Sequence, residues 1–137
     1  MGITYRAFVD GLEALEVEGV AEAFTQGPPA SMVSVNLPAM WVQLPGGAEK
    51  GLVFGGAGED LTLRAELVVL VDAVAQSTQG ENFDATVDML DAVTAALQSD
   101  DAHTLATGSP TWTIRTATVP IGNIDYWAVV ATVEVLA

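Results

Sequence analysis

Residues 61–71 constrain the fold more than any other stretch of this chain. Leu61, Leu63, Ala65, Leu67, Val69 and Val71 alternate with Thr62, Arg64, Glu66, Val68 and Leu70. A period of two puts the first set on one face of a β-strand and the second set on the other. One face is apolar throughout, while the other starts polar and turns apolar. Such a strand either enters a region covered on both sides or lays its second face against another subunit. A strand also needs paired neighbours to persist. Two further alternating runs, 111–120 and 126–136, supply them. They are joined through Gly122 and Asn123, residues that accept the positive φ of a tight hairpin turn.

Between these strands the pattern predicts an amphipathic helix over 82–98. Asn82 is its natural cap, and Phe83, Val87, Leu90, Val93 or Thr94, and Leu97 form the expected buried face. Near the start, Thr4 caps a helix running to about Leu15, with Phe8, Leu12 and Leu15 turned inward. Residues 16–24 read as a turn into a short edge strand. A break at Gly27-Pro28-Pro29 follows, then an alternating stretch at 31–35. Next comes a strand within 37–45, bounded by Pro38 and Pro45 because proline has no ladder donor.

Residues 46–58 hold glycines at 46, 47, 51, 55, 56 and 58. That composition predicts a long mobile loop with room for a short strand at its centre, and loops of this length are functional or disordered. The order of elements gives an α+β fold, a mainly antiparallel β-sheet with two helices packed on one face. At 137 residues the chain makes a single domain, 1–137, large enough for a real core.

Composition narrows the function. Eighteen acids against four bases give a net charge of −14, which opposes phosphate binding, since that needs Lys and Arg to displace counterions. An acidic wall would still let DNA pass without adhering. With no cysteine there is no disulfide scaffold, thiolate nucleophile or Cys-ligated zinc. Asp10 and Glu13 interrupt any apolar signal core near the start, and the run 67–75 contains Asp72 and is too short to cross a bilayer. A soluble protein with no membrane contact is expected.

Few residues offer chemistry. The single histidine, His103, lies in a polar link beside Asp100 and Asp101, with Ser99 and Ser109 nearby but no nucleophile elbow. No catalytic residue, cofactor or metal ligand set is expected. Asp84, Asp88 and Asp91 share a helical face; they read as a solvated surface, with a divalent cation or a neighbour's arginine as the functional alternatives. Arg64 and Arg115 are the scarce bases available for such pairing between subunits. Lys50 sits among glycines without the Gly-Lys-Ser/Thr needed to cradle phosphate. Trp41, Trp112 and Trp127 fall in three separate strands and read mainly as core, an exposed one marking a subunit contact.

Taken in order, these elements resemble a known group. The carriers are the N-terminal helix, the crossing Gly27-Pro28-Pro29 then Asn36-Leu37-Pro38, a strand, the glycine loop, the strand 61–71, the helix 83–97 and a hairpin ending Tyr126-Trp127-Ala128-Val129-Val130-Ala131-Thr132-Val133-Glu134-Val135. This is similar to the tail terminator (tail completion) proteins of long-tailed bacteriophages, the lambda type and its neck-assembly relatives. The Ala, Val, Gly and Asp richness is similar to that of phages infecting high-GC actinobacteria.

The resemblance implies a virion protein of the tail or neck, assembled in the host cytoplasm as a homohexameric ring. Such a ring caps the tail tube, halts tube polymerisation and offers the head-docking surface. Its partners would be further copies of itself, the tube protein and the head-tail connector or stopper, with DNA passing through unbound. The family carries no catalytic residues. Contact candidates are Lys50 and Phe54 in the loop, Asn123 and Asp125 in the turn, Asp84, Asp88 and Asp91 on the helix, and Arg64 and Arg115. Two other readings stay open: another connector or tube subunit, and a small ligand-binding α+β domain or enzyme.

Overall fold

A computed structural model describes residues 4–25, 27–29, 35–44, 52–54, 61–74, 79–99 and 110–136. Thr4, in extended conformation, accepts a hydrogen bond from the Ala7 N–H at 3.1 Å and so starts helix α1 (Tyr5–Glu13). Phe8 and Leu12 face inward from α1, and Leu15 follows them into the core. Strand β1 (Glu22–Ala23) pairs in parallel with β2 (Ala39–Gln43). Pro38 directly precedes β2, where its missing donor removes no ladder bond.

Strand β3 (Leu52–Phe54) lies at the centre of the glycine-rich stretch. It shares one edge of β4 (Leu61–Ala73) with β2: β3 pairs with Leu61, Thr62 and Leu63, and β2 with Glu66 through Leu70. Helix α2 (Gln79–Leu97) leads to β5 (Thr111–Ile121) and β6 (Ile124–Leu136). The strand order is β1-β2-β4-β6-β5, with β3 beside the start of β4. All pairings but β1–β2 are antiparallel. The expected α+β fold, a mainly antiparallel sheet with two helices, is the fold found.

Both faces of the sheet are occupied. Toward the helices, Leu63, Ala65, Leu67, Val69 and Val71 of β4 meet Met40, Val42, Val129, Ala131 and Val133, with Phe8, Leu12, Met89, Val93 and Leu97 above them. The other face buries Trp41, Val68, Leu70, Ala73, Tyr126, Ala128 and Val130, against which Phe24, Leu37, Ala117, Val119 and Ile121 pack. Val68 is 1% exposed and Leu70 0%, so the second apolar face of β4 is covered within one chain. Of the two alternatives for that face, the covered region is the one realised. A register shift between Leu70 and Asp72 then reverses the parity: Val71 belongs to the helix side and Ala73 to the opposite side.

Helix α2 departs from expectation. It begins at Gln79, so Asn82 lies inside the helix and is no cap. Its buried side is Asn82, Thr86, Met89, Val93, Ala96 and Leu97, while Phe83, at 67% exposed, and Val87 point outward. The threonine hydroxyls bond within the helix: Thr86 donates to the Asn82 main-chain carbonyl at 2.6 Å, as Thr94 does to Leu90 at 2.8 Å.

Candidate interaction surfaces

Arg64 and Arg115 face carboxylates of their own sheet. On the sheet face away from the helices, Arg64 and Glu134 are directly opposed across β4 and β6. Both Nε and Nη2 of Arg64 lie 2.6 Å from Glu134 Oε1. Arg115 reaches from β5 past β6 to Glu66 Oε2 at 3.6 Å. Glu66 Oε1 accepts from Gln43 Nε2 at 3.0 Å, and Gln43 Oε1 accepts from the Trp41 indole at 2.9 Å. A polar ladder therefore links β2, β4 and β5 where the even face of β4 is polar. Within the subunit each of the two arginines faces a carboxylate of its own sheet, and the Arg115 side chain stays 59% exposed. Arg6 approaches Asp10 at 4.0 Å on the exposed face of α1, a pair worth little in solvent.

Asp84, Asp88 and Asp91 are exposed on α2. No group of three His, Asp or Glu side chains among the described residues could hold a metal ion. The aspartates form a solvated acidic face, and the structure does not bring them to Arg64 or Arg115, which lie across the sheet. Asn123 is exposed in the two-residue turn, where Gly122 takes φ +63°. Asp125 is exposed too, but its main-chain carbonyl accepts from the Val74 N–H at 2.9 Å, tying the hairpin to the end of β4. Phe54 stands in register with Leu61 at the end of β3. Lys50, with most of the loop 46–58, lies outside the described residues, as do His103 and Ser109. Ser99 donates its hydroxyl hydrogen to the Ala96 carbonyl at 2.5 Å, satisfying the end of α2.

Burial pushes the Tyr5 phenol above its ordinary pKa, and its hydroxyl donates to the Arg64 carbonyl. This is a structural tie between α1 and β4. Trp41 is buried, while Trp112 and Trp127 are half-buried against the helix-side core.

Among the described residues, three of the open grooves stand out. One of about 450 Å³ lies between α1 and the end of β2, lined by Tyr5, Val9, Pro28, Val42 and Leu44 among others. A second, about 770 Å³, runs along α2 and includes Glu18, Asp72, Asp88 and Asp91, all of one charge sign. The third, about 360 Å³, lies between α2 and β5 and is lined by Asn82, Phe83, Thr86, Val87, Leu90, Thr116 and Trp127. The third groove escapes a reading of the sequence, because 83, 87, 90 and 94 repeat at helical spacing as well as 82, 86, 89, 93 and 97 do. Only packing decides which stripe turns inward.

No protein-family model matches this chain, and no curated protein matches it significantly. No helix among the described residues is long and apolar enough to cross a membrane.

Proposed function

We propose that this chain is a structural subunit of a phage virion, a tail terminator whose ring caps the tail tube, halts its growth and provides the head-docking surface. The observation that carries this reading is the one-sided architecture. Two helices lie on one face of a mainly antiparallel sheet, in the order helix, strands, long strand, helix, hairpin, which is the order the resemblance rests on. The described polar side chains support it: Arg64, Gln43, Ser99 and Tyr5 serve the fold, and the exposed charged side chains are mostly acidic. A subunit of this kind works through its surfaces. Its partners would be further copies of itself, tube protein and a connector or stopper, with DNA moving past an acidic lining.

Each subunit brings a charge of −14, so ring closure should strengthen as salt screens that repulsion. The test is light scattering behind a sizing column, across protein concentration and salt, with and without purified tail tubes. A discrete hexamer, formed alone or on tube ends, and tubes that stop growing when it is added are the expected results. Open-ended polymers would point to a tube subunit instead. A strict monomer indifferent to tubes would end the terminator reading and favour a ligand-binding domain.

A further inference from the structure

The flank of α2 that the sheet leaves bare carries Phe83, Val87 and Leu90 at i, i+4 and i+7. The first two are exposed and the third half-buried. With Thr116 of β5 and Trp127 of β6 they line the 360 Å³ groove. Helix α2 packs on β4 and β6 and only marginally on β5. Packed helices lie about 8–10 Å apart, roughly two strand spacings of about 4.8 Å. A helix laid beside α2 on this flank would therefore sit over β5, the outermost strand, whose Thr116 is exposed and Ile114 only half-buried. Further round the helix from the sheet, at about 100° per residue, the stripe is bordered by Asp84 and Asp91, with Asp88 beyond them, and α2 contains no Lys or Arg.

From this juxtaposition we infer that the groove between α2 and β5 is a docking site for a basic amphipathic helix of a partner protein. The apolar spacing fits a helix, which presents its anchors at three- and four-residue intervals, better than an extended strand, which presents every second residue. The acidic border selects Lys and Arg on the flank of the incoming helix. A second copy of this chain fits poorly. The apolar side chains of α1, Phe8 and Leu12, are already buried, and α2 laid against another α2 would bring eight acids together without a base. At the groove floor, Asn82 Oδ1 and Trp127 Nε1 are buried without a hydrogen-bond partner among the described residues. The site is independent of whether the chain forms rings.

The test titrates the full chain with three leucine-based peptides: leucine and lysine at heptad spacing, leucine and lysine in strict alternation, and leucine and glutamate at heptad spacing. Affinity is measured together with the indole N–H resonance of Trp127, assigned with Trp127→Phe. The heptad lysine peptide should bind about tenfold tighter than either alternative, shift that resonance, and weaken as salt rises. Phe83→Ser with Val87→Ser retains every charge and alters only exposed side chains; it should weaken binding about tenfold. Asp84→Asn with Asp91→Asn should weaken it and flatten the salt dependence. No binding of the heptad lysine peptide, equal affinity for the alternating one, or unchanged binding in the serine variant would overturn the inference. So would self-association that deepens with salt and is lost in the serine variant, which would give the groove to a second copy.

Discussion

Which side of α2 faces the sheet can be settled by two truncations. Leu97 is fully buried in the helix-side core, and Phe83 is 67% exposed. Leu97→Ala removes a packed side chain and leaves a cavity, a change that costs roughly 3 kcal/mol. Phe83→Ala gives up only about a third of a burial worth roughly 1.5–3 kcal/mol. It regains roughly half a kcal/mol because alanine is the better helix former, so the net effect stays within about 0.5 kcal/mol. Unfolding entropy of about 2.1 cal/mol/K per residue makes 1 kcal/mol worth about 3.5 °C in a chain of 137 residues. Leu97→Ala should therefore lower Tm by about 10 °C, and Phe83→Ala should move it by no more than about 2 °C. Urea unfolding gives the same comparison through the midpoint at constant slope. If Phe83→Ala lost as much stability as Leu97→Ala, α2 would be seated on its other stripe. The groove beside β5 would then not exist.

Three further substitutions probe the scaffold. Gly122 has φ +63° with nothing within 4 Å of an added Cβ, so only backbone strain is at issue. Gly122→Val should cost about 1–2 kcal/mol, and Gly122→Asn distinctly less, in urea midpoints. Tyr5→Phe removes the bond to the Arg64 carbonyl and should cost about 1 kcal/mol at neutral pH. Because burial raises the Tyr5 pKa, the folded chain holds that proton longer than the unfolded one. This contribution is full below the ordinary phenol value near 10 and is lost as pH rises through the folded pKa; unfolding followed from pH 7 to about 11 should show a fall that Tyr5→Phe lacks. Glu134→Gln leaves the largely buried Arg64 guanidinium without its opposed carboxylate. It should cost roughly 1 kcal/mol at low salt and less at about 1 M salt, measured by thermal unfolding.

The strands were legible because a period of two survives in a single sequence. The run at 61–71 reads as half-covered, and β4 does turn from the ladder of Arg64 and Glu66 to the buried pair Val68 and Leu70. The hairpin was legible because Gly122 and Asn123 have few other uses. The bulge after Leu70 was not, since Val71, Asp72 and Ala73 carry no signal that the parity reverses there. For α2, bulk suggested Phe83 and Val87 as the inner face. The sheet accepts the expected Val93 and Leu97 but takes Thr86 and Met89 in place of Phe83 and Val87, because the threonine hydroxyl bonds within its own helix. The arginine partners lay hidden for a different reason. Glu134 is 70 residues from Arg64, and charge spacing along the chain says nothing about register across strands.

Cover on both faces of β4 changes where any self-association must occur. An uncovered apolar face would have called for a neighbour by itself, but Trp41, Val68, Leu70, Ala128 and Val130 already bury one another. The large apolar side chains left exposed among the described residues are Leu44 (60%), Ile124 (45%), Phe83 and Val87. Leu44 follows the end of β2 that pairs with Glu66, whereas Ile124 sits at the turn beyond the pairing of Ala73 with Tyr126. These two patches therefore lie toward opposite ends of the long strands. An isologous contact would set either patch, with its surrounding acids, against its own copy. A heterologous contact joins unlike surfaces, and that is the kind that closes a ring when the rotation permits. If the proposed ring forms, its interfaces are small apolar contacts within a repulsive acidic field. They would strengthen with salt, whereas a basic helix in the α2–β5 groove would be released by it.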